Sequence, residues 1–281
     1  MQLITVFCFN KIAKAASPVL AVLFFVPAAA QVRWSNADAE FGALPAGFHV
    51  YKTNDSLDGK PFIAYYAEAK LKEPSLVFST DTTYRRRLTP AQFFERNGKP
   101  LLVVNCSFFS FETNQNLNIV MDSGRMLAYN VHSLPMRGKD TFQYRHPIGS
   151  AIGISKKRKA DVAWLYTDSS NSWPYAAQRA LPAMKDSVNH YSYNQLKASS
   201  GKANRIKKWK MQTAVGGGPV LVQSGKILVT NEEELKFTGK AINDRHPRTA
   251  MGYTTDGRLI IMVIQGRFPG IAEGATLNQT A

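Results

Sequence analysis

The chain is poor in the residues from which disulfides and metal centres are built. Its 281 residues include only two cysteines and five histidines, and Cys8 lies in an apolar N-terminal stretch. Once that stretch is removed, Cys106 remains alone, so an intramolecular disulfide is excluded. The same counts exclude a zinc site of the usual Cys/His kind. The sequence requires no cofactor and leaves a need for a divalent cation open.

Long apolar runs are also missing. Lys11 and Lys14 precede a short apolar run over 19–26, and small residues up to Ala30 offer a cleavage site. This order predicts a secretory signal peptide over residues 1–30, with a retained N-terminal anchor as the alternative. The run is much shorter than the ~20 residues of a spanning helix. We therefore expect an exported protein, periplasmic or extracellular, with no stable membrane span after cleavage.

Acidic residues are scarce. The chain has 35 lysines and arginines against 20 acidic residues, a net charge of +15, and loss of Lys11 and Lys14 with the leader reduces it by two to +13. Such an excess favours polyanionic partners. For an exported protein these are phosphorylated or anionic glycans and other envelope polymers, and nucleic acid is not expected. A hydrophobic content of 44% indicates a globular domain rather than disorder.

Most of the mature chain, residues 31–281, is predicted to form short strands. Alternating apolar and polar residues and turn signals such as Asp122–Gly124 and Asp256–Gly257 predict antiparallel strands and hairpins. An unbroken apolar run over 101–109 predicts a buried strand. The expected fold is a single α+β domain of mixed, mainly antiparallel β-sheets with a few short helices. Strands are expected at 48–53, 61–71, 75–80, 101–109, 117–131, 148–154, 161–167, 211–229 and 249–266.

Two short helices are expected from their capping residues. Thr89 precedes Pro90 and a stretch that ends at Gly98. Asn231 is followed three residues later by Glu234, which has the spacing of a capping box. Between the strands, residues 169–208 show little periodicity and are interpreted as a long surface excursion, a kind of segment that is functional or disordered in compact domains.

Polar turns follow several of the predicted buried strands. They lie at 105–115, 216–219 and 265–270, and the charged stretch 243–248 precedes another strand. Polar turns at strand ends are where sites are built on rigid scaffolds. Gly216, Gly217 and Gly218 lack β-carbons, so a ligand can approach the backbone and N–H groups can converge on an anion. A tight entry to a hairpin is the alternative explanation.

Several blocks of the chain resemble the phosphodiester glycosidase domain, the family of the uncovering enzyme that removes N-acetylglucosamine from phosphorylated mannose. The blocks are "AVGGGPVLVQSGKI" at 214–227, "DRHPRTAMGYTTDGRLIIMVIQGR" at 244–267 and "EGATL" at 273–277. "NCSFF" at 105–109 is similar to the family's "N-G-G-F-F" without its glycines. The family continues past "G-x-T-L" to an "N-L-D-G-G-G-S" segment, so the resemblance implies that a C-terminal part is missing.

The resemblance implies hydrolysis of a sugar-1-phosphodiester, which requires groups that hold a phosphate. Arginine suits this task, because its planar fork bonds two phosphate oxygens and stays charged. Arg248 is the first candidate, with Arg245 and Arg267 as helpers. The alternative is an exposed arginine paired with Asp244 or Glu273. The substrate-binding set is completed by Asn105, Gly216, Gly217, Gly218, Thr249 and Thr276.

Asp244, His246 and Glu273 are the catalytic candidates. A glycosidase uses carboxylates near the sugar, one as nucleophile or base, whereas His246 can carry a proton at neutral pH or be merely hydrogen-bonded in its loop. The departing phosphate needs little protonation, because its second pKa is about 6. Electrostatic stabilisation can therefore supply much of the catalysis. Asp122 and Asp256 fit hairpin turns and are expected to be structural.

Three other groups have weaker functional interpretations. Asn105 can bond sugar hydroxyls or simply form a turn. Cys106 has no histidine fixed beside it and is expected to behave as a small hydrophobe rather than a nucleophile. Four aromatic residues of the 169–208 segment can stack on sugars or anchor the loop: Trp173, Tyr175, Tyr191 and Tyr193.

These observations favour an exported glycosidase that cleaves the sugar–phosphate bond of glycosyl-1-phosphodiesters in envelope or extracellular glycans. A non-catalytic binding module for anionic glycans or polymers is the alternative. Cleavage at phosphorus is a further possibility, and it is less favoured because the acidic residues are too scattered for a metal cluster.

Overall fold

The computed structural model describes residues 32–201 and 204–281, and the predicted signal peptide therefore lies outside the described residues. Within them the chain forms mostly short strands and a few short helices. The strands are β1 Ser35–Asn36, β2 Phe48–Thr53, β3 Ser56–Leu57, β4 Lys60–Pro61, β5 Ala64–Lys70, β6 Val120–Asp122, β7 Arg125–Ala128, β8 Leu134–Pro135, β9 Tyr144–His146, β10 Ser150–Ile154, β11 Ala160–Tyr166, β12 Tyr175–Ala177, β13 Met184–Asp186, β14 Lys207–Lys208, β15 Thr213–Gly216, β16 Val222–Gln223, β17 Lys226–Ile227, β18 Arg248–Tyr253 and β19 Arg258–Ile264. The helices are α1 Pro90–Arg96, α2 Tyr193–Ser200, α3 Asn231–Glu234 and α4 Leu277–Thr280, with 3₁₀ turns at Asp38–Glu40, Gly138–Asp140 and Gly239–Ile242.

The strands form two main sheets whose pairings are all antiparallel. The five-stranded sheet has the order β1-β2-β5-β19-β18, and the seven-stranded sheet has the order β14-β12-β11-β10-β15-β6-β7. A three-stranded sheet, β13-β9-β8, and two small hairpins complete the set. The predicted fold class, α+β with mainly antiparallel sheets and a few short helices, is confirmed.

The two main sheets face each other across a shared apolar core. Val50 and Leu259 of the five-stranded sheet belong to the same buried cluster as Ile154, and Ile152 packs against it. This follows from alternation, because every second side chain of a strand points to the same face. The opposite face of the seven-stranded sheet packs a second cluster that includes Leu165 and Trp209.

The hairpins predicted from turn residues are confirmed. β6 and β7 pair around Ser123 and Gly124 with a bulge after Val120, and β18 and β19 pair over six residues. Asp122 accepts hydrogen bonds from Thr80 N at 3.1 Å and from Ser123 Oγ at 2.8 Å. Asp256 binds Arg258 Nε at 2.8 Å. Both carboxylates therefore have the structural roles expected of them.

Two predicted strands are wrong. Residues 75–80 form no strand, because their neighbouring carbonyls are bound by a side chain: Arg158 donates to Glu73 O at 2.8 Å and to Leu76 O at 2.7 Å. Residues 101–109 pair with another segment only at their end, where Phe109 bridges Asn116. An apolar run becomes a strand only where a neighbouring strand takes its hydrogen bonds, and most of this run has no such neighbour among the described residues.

The helix at 90–96 has the predicted cap, whereas the one at 231–234 does not. Thr89 forms a capping box with Gln92. The N-cap of α3 is Thr230 rather than Asn231, and Glu234 bonds groups from elsewhere in the fold. The segment 169–208, interpreted from the sequence as a long surface excursion, carries the regular elements β12, β13, α2 and β14.

The helices of the described part of the chain are short. None of those in residues 32–201 and 204–281 has the length and apolar character that a bilayer crossing requires.

Candidate active site

Arg248, the first residue of β18, lies partly buried over an aromatic ring. Its guanidinium carbon is 5.0 Å from the centroid of the Phe237 ring. Nε donates to Ala275 O at 3.1 Å and Nη2 donates to Asp244 O at 3.3 Å. These two bonds hold the plane of the guanidinium while leaving three of its five N–H donors for a ligand.

Lys236 provides a second cation next to the same aromatic pair. Its Nζ lies 5.7 Å from the centroid of the Phe108 ring, and the rings of Phe108 and Phe237 meet edge to face at 5.8 Å. Arg248 and Lys236 therefore flank two phenylalanines in contact. We call the surroundings of these four residues the cationic hollow.

The cationic hollow is positively charged and short of counter-ions. Burial lowers the pKa of Lys236, although Glu234 offsets part of this effect, and burial also lowers the pKa of Arg248. Within residues 32–201 and 204–281, the ion pairs involve other lysines and arginines. A partly buried cation without a carboxylate partner is unfavourable. An anionic ligand would supply the missing charge.

The predicted glycine turn follows β15, and its three residues have different surroundings. A β-carbon on Gly216 would lie 2.7 Å from Asn118 Cβ, and one on Gly218 would lie 2.3 Å from Glu234 Oε2. Gly218 also has a φ of +95°, which disfavours other residues. By contrast, a β-carbon on Gly217 would meet nothing within 4 Å. Only Gly217 therefore faces open space.

The backbone amides of this turn do not converge on an anion as proposed from the sequence. Gly216 N donates to Ile119 O at 2.7 Å, and Gly217 N donates to Ser150 O at 3.2 Å. Both N–H groups are used by the sheet. The turn can still admit a ligand to its bare surface at Gly217, but the charge for an anion must come from side chains.

Glu234 holds the glycine turn in place. This buried carboxylate accepts hydrogen bonds from Ser150 N at 2.8 Å and Ser150 Oγ at 2.7 Å on one oxygen. The other oxygen accepts from Trp164 Nε1 at 3.1 Å, Val220 N at 2.9 Å and Thr230 Oγ1 at 2.7 Å. Five donors satisfy the charge, which links β10, β11 and the end of the turn.

Contacts connect the glycine turn with the cationic hollow. A β-carbon on Gly149 would lie 3.2 Å from Lys236 Nζ, and the next residue, Ser150, bonds the amide of Gly217. On the other side, Asn118 touches the Gly216 position and accepts from Phe108 N at 3.1 Å. Lys236 and Phe108 are therefore the residues that join the turn to Arg248.

Asn105 and Thr249 meet at the second residue of β18, which follows Arg248 in the chain. Thr249 Oγ1 donates to Asn105 Oδ1 at 3.3 Å, and Asn105 is exposed. His246 pairs with Ala275 through two backbone hydrogen bonds, and its buried Nδ1 has no hydrogen-bond partner in the described part of the chain. These three predicted residues thus lie around the start of β18.

Two predicted substrate-binding residues also have structural contacts. Arg245 donates to Leu57 O at 2.9 Å and to Gly274 O at 3.4 Å, which fastens two loops. Thr276 caps α4, where its hydroxyl accepts from Gln279 N at 3.1 Å. Arg245 keeps three N–H donors and Thr276 keeps its hydroxyl donor, so their predicted roles in substrate binding stay predictions.

Three other predicted residues remain candidates in different settings. Asp244 is exposed, and its backbone carbonyl accepts the hydrogen bond from Arg248 Nη2. Glu273 lies 3.7 Å from Lys60 Nζ, which partly neutralises it. Arg267 is exposed with a φ of +67°. Of the two acidic candidates, Asp244 is therefore the one whose backbone contacts Arg248.

The aromatic residues of the 169–208 segment pack into the protein, as the loop-anchoring alternative expected. Tyr191 is 3% exposed, Trp173 packs against the second core cluster, and the rings of Tyr175 and Tyr193 are 4.3 Å apart. Cys106 is exposed and free. In the described part of the chain, no group of three or more His, Cys, Asp or Glu residues is arranged to bind a metal ion.

Sequence reasoning missed Lys236, Phe237, Phe108 and Glu234 as residues of this region. "LKF" at 235–237 follows a run of acids and has no motif of its own. Its one signal is the placement of a lysine next to a phenylalanine just after a short helix, which is too common to indicate a site.

The geometry defines an α+β protein of two facing antiparallel sheets, with a cationic hollow beside a glycine turn. The sequence matches the phosphodiester glycosidase family over residues 98–281, about two thirds of the chain. The protein therefore belongs to the phosphodiester glycosidase family. Membership supports a glycosidase-like function, and it places Lys236, Arg248 and the glycine turn inside the matched region.

One solved structure shows a similar fold at low sequence identity, and a second is reported for comparison. A hypothetical protein from Synechocystis matches with a TM-score of 0.50 and 12% identity, over 85% of this chain and 55% of that one. The zebrafish N-acetylglucosamine-1-phosphodiester alpha-N-acetylglucosaminidase catalytic domain, auto-inhibited by its pro-peptide, matches with a TM-score of 0.44 and 13% identity, over 88% of this chain and 69% of that one. The chain thus spans little more than half of the Synechocystis protein. No curated protein sequence matches it significantly.

Proposed function

We propose that this protein is an exported hydrolase that cleaves the sugar–phosphate bond of a glycosyl-1-phosphodiester in an envelope or extracellular glycan. The observation that carries the proposal is the pair of partly buried cations, Lys236 and Arg248, without a carboxylate partner in the described residues. A phosphodiester monoanion would offset one of their two positive charges. The arginine fork bonds two oxygens, and the lysine ammonium supplies a point charge.

Cleavage would need little acid catalysis at the leaving group. The bond between the anomeric carbon and the phosphate oxygen breaks, and the phosphate leaves as a monoester dianion or monoanion. Lys236 and Arg248 stabilise the charge that gathers on it. Asp244 is the carboxylate we assign to the sugar side, as nucleophile or as base for a water. His246 and Glu273 remain further candidates for proton transfer.

Substrate contacts would come from the residues around the start of β18. Asn105 and Thr249 present an amide and a hydroxyl that can bond sugar hydroxyls. Gly217 leaves room for the sugar or phosphate to approach the turn. The leader expected at residues 1–30 would place this activity in the periplasm or outside the cell.

The test is hydrolysis of an α-linked sugar-1-phosphodiester in ¹⁸O-labelled water. We expect free sugar carrying the label and an unlabelled phosphomonoester. Replacement of Arg248 by Gln should lower kcat/KM about 100-fold, the loss typical of one transition-state charge contact. The control is Lys240→Met, which removes an exposed lysine from the preceding 3₁₀ turn and should leave the rate unchanged.

Three outcomes would contradict the proposal. Label in the phosphate would indicate attack at phosphorus. Equal rates for the wild type and Arg248→Gln would remove Arg248 from the site. Salt-sensitive retention on anionic polysaccharide without any product would favour the binding module instead.

A further inference from the structure

Three polar side chains of the small sheet β13-β9-β8 form a hydrogen-bonded series that the glycosidase mechanism does not use. Ser133 Oγ lies 3.0 Å from His146 Nδ1, and the other ring nitrogen, Nε2, lies 3.0 Å from Asp186 Oδ1. A hydroxyl, an imidazole and a carboxylate in this order form the catalytic triad of serine hydrolases. Such a triad is recognised by its geometry and not by the order of its residues in the chain.

The pairing of the strands brings the three side chains to one face of the sheet. Ser133 immediately precedes β8 and comes opposite His146, the last residue of β9. On the other side of β9, Asp186 pairs with Tyr144, which lies two residues before His146 and therefore on the same face. Each strand or strand end thus contributes one member, and the backbone fixes their order.

The hydrogen bonds determine where the protons of the imidazole lie. The bond from His146, and after it the bond from Val188 N, lowers the pKa of Asp186, so this carboxylate is ionised at neutral pH and can only accept. His146 Nε2 therefore carries a hydrogen, and Nδ1 of the neutral ring has a free lone pair. The carbonyl of His132, 3.1 Å from Nδ1, has no proton to give. The Ser133 hydroxyl is therefore the donor to Nδ1.

The surroundings of His146 also stabilise the charged ring that a proton transfer from the serine would create. The side chain is fully buried and stacks on the ring of Tyr191, with centroids 5.2 Å apart. When Nδ1 is protonated, it can donate to the carbonyl of His132 while Nε2 still donates to Asp186. Both N–H groups of the buried imidazolium then have acceptors, which offsets the cost of burying its charge.

Ser133 lies where a substrate can reach it. It adjoins β8, an outer strand of the three-stranded sheet, and it is partly exposed. Its main-chain N–H forms no hydrogen bond with the residues that the structure describes. In serine proteases the N–H of the nucleophile itself is one of the donors that stabilise the oxyanion. Ser133 therefore combines an activated hydroxyl with a free N–H donor.

We propose that Ser133, His146 and Asp186 form a second catalytic site, which hydrolyses carboxylic esters. Ser133 Oγ attacks the ester carbonyl carbon while its proton passes to His146 Nδ1, and the alcohol leaves with that proton. Water then attacks the acyl-serine and gives a proton to Nδ1, and Oγ takes the proton back as the carboxylic acid is released. Asp186 acts as a positioning residue. The reaction goes beyond cleavage of the sugar–phosphate bond and involves different residues.

The test is covalent labelling of the folded protein by a fluorophosphonate, whose phosphorus is attacked by an activated serine with loss of fluoride. We expect the label on Ser133, located by peptide mass spectrometry, and no label at this site in Ser133→Ala. Hydrolysis of p-nitrophenyl acetate should lose about 100-fold in kcat/KM in Ser133→Ala, the contribution typical of acid–base catalysis that this variant can no longer use. Ser169→Ala, which removes an exposed hydroxyl, should behave as the wild type.

Asp186→Asn tests the positioning role. Asparagine can still accept from Nε2 but lacks the charge that stabilises the imidazolium, so labelling should slow by about 100-fold. The pH at which labelling reaches half its maximum should also fall. The titratable groups facing the ring besides Asp186 are Tyr191 and His132. Burial raises the pKa of Tyr191 and lowers that of His132 to about 4, so neither titrates in the neutral range with His146.

The proposal is overturned if the wild type is not labelled at Ser133, or if Ser133→Ala hydrolyses the ester as fast as the wild type. An unchanged labelling rate and pH midpoint in Asp186→Asn, shown to be folded by thermal unfolding, would also contradict the triad. If Asp186→Asn does not fold, the labelling and turnover of the wild type and Ser133→Ala decide the question.

Discussion

Two charged side chains, two residues apart, have opposite surroundings in this protein. Glu234 is 1% exposed and its carboxylate accepts five hydrogen bonds from neutral donors. Lys236 is partly buried, and its ammonium forms no ion pair with the residues the structure describes. A charged group whose hydrogen bonds are all formed within the protein stabilises the fold, whereas one that keeps free donors is available to a ligand. The comparison separates scaffold from site within one short segment.

The largest expected effect on stability concerns Glu234, whose carboxylate is fully hydrogen-bonded. Glu234→Gln places an amide NH₂ where two or three buried donors now point, and each unsatisfied donor costs about 1–3 kcal/mol. We expect a loss of about 3 kcal/mol or more, seen as a melting temperature lower by about 6–12 °C. Glu232→Gln, at an exposed position of the same helix, should change stability by less than about 0.5 kcal/mol. Equal effects of the two substitutions would refute the role of Glu234.

The next effect compares neighbouring glycines of the turn that Glu234 holds. Gly218→Ala meets the Glu234 carboxylate and a φ of +95°, and it should destabilise the fold by about 2 kcal/mol. Gly217→Ala meets open space and should change stability by less than about 0.5 kcal/mol. Urea unfolding of both variants measures the difference. If Gly217→Ala is the more damaging substitution, the surroundings described for the turn are incorrect.

The third prediction concerns Lys236, whose ammonium has no ion-pair partner among the described residues. Lys236→Met keeps the aliphatic stem and removes the charge, so stability should stay equal or rise slightly. Phosphate should raise the melting temperature of the wild type by binding the folded state. The phosphate affinity derived from this increase should be at least tenfold weaker in Lys236→Met than in the wild type. In Lys240→Met it should be unchanged. A marked loss of stability in Lys236→Met would show that the lysine is structural.

The last prediction concerns the pH dependence of stability set by His132, beside Lys236. Burial, with a smaller contribution from the Lys236 charge, lowers its pKa to about 4, and its Nε2 accepts a hydrogen bond from Thr167 N at 2.9 Å. The unfolded chain has a histidine pKa of about 6.5 and binds the proton more readily, so stability decreases as the pH falls from 6.5 to 4. The steepest loss should be about 1 kcal/mol per pH unit. In His132→Asn this slope should flatten, and an unchanged slope would assign it to other groups.

Local signals account for the parts of the fold that the sequence predicts well. The hairpins at Asp122–Gly124 and Asp256–Gly257 and the helix after Thr89 form because turn and capping residues act on their own neighbours. The run at 101–109 is apolar enough for a strand, yet strand formation depends on a partner that no local pattern specifies. The prediction failed for that reason.

The site was predicted in part for the same reason. Arg248 stands in a motif with a recognisable arrangement, and Asn105 meets the next residue of that motif, Thr249. Arg245 binds the backbone carbonyl of a distant loop at Leu57, and Thr276 caps α4 by accepting from Gln279 N, three residues away. Lys236 reaches the hollow only because β10 and α3 pack together. Tertiary packing therefore decides which charged side chains are bonded within the protein and which are left for a ligand.

The central claim is that Lys236 and Arg248 bind one phosphate together, and a double-mutant cycle tests it most directly. The affinity for inorganic phosphate is measured for the wild type, Lys236→Met, Arg248→Gln and the double variant. The account predicts that the two single losses are not additive, with a coupling of about 0.5–3 kcal/mol. Additive losses, or phosphate binding unchanged in either single variant, would contradict it.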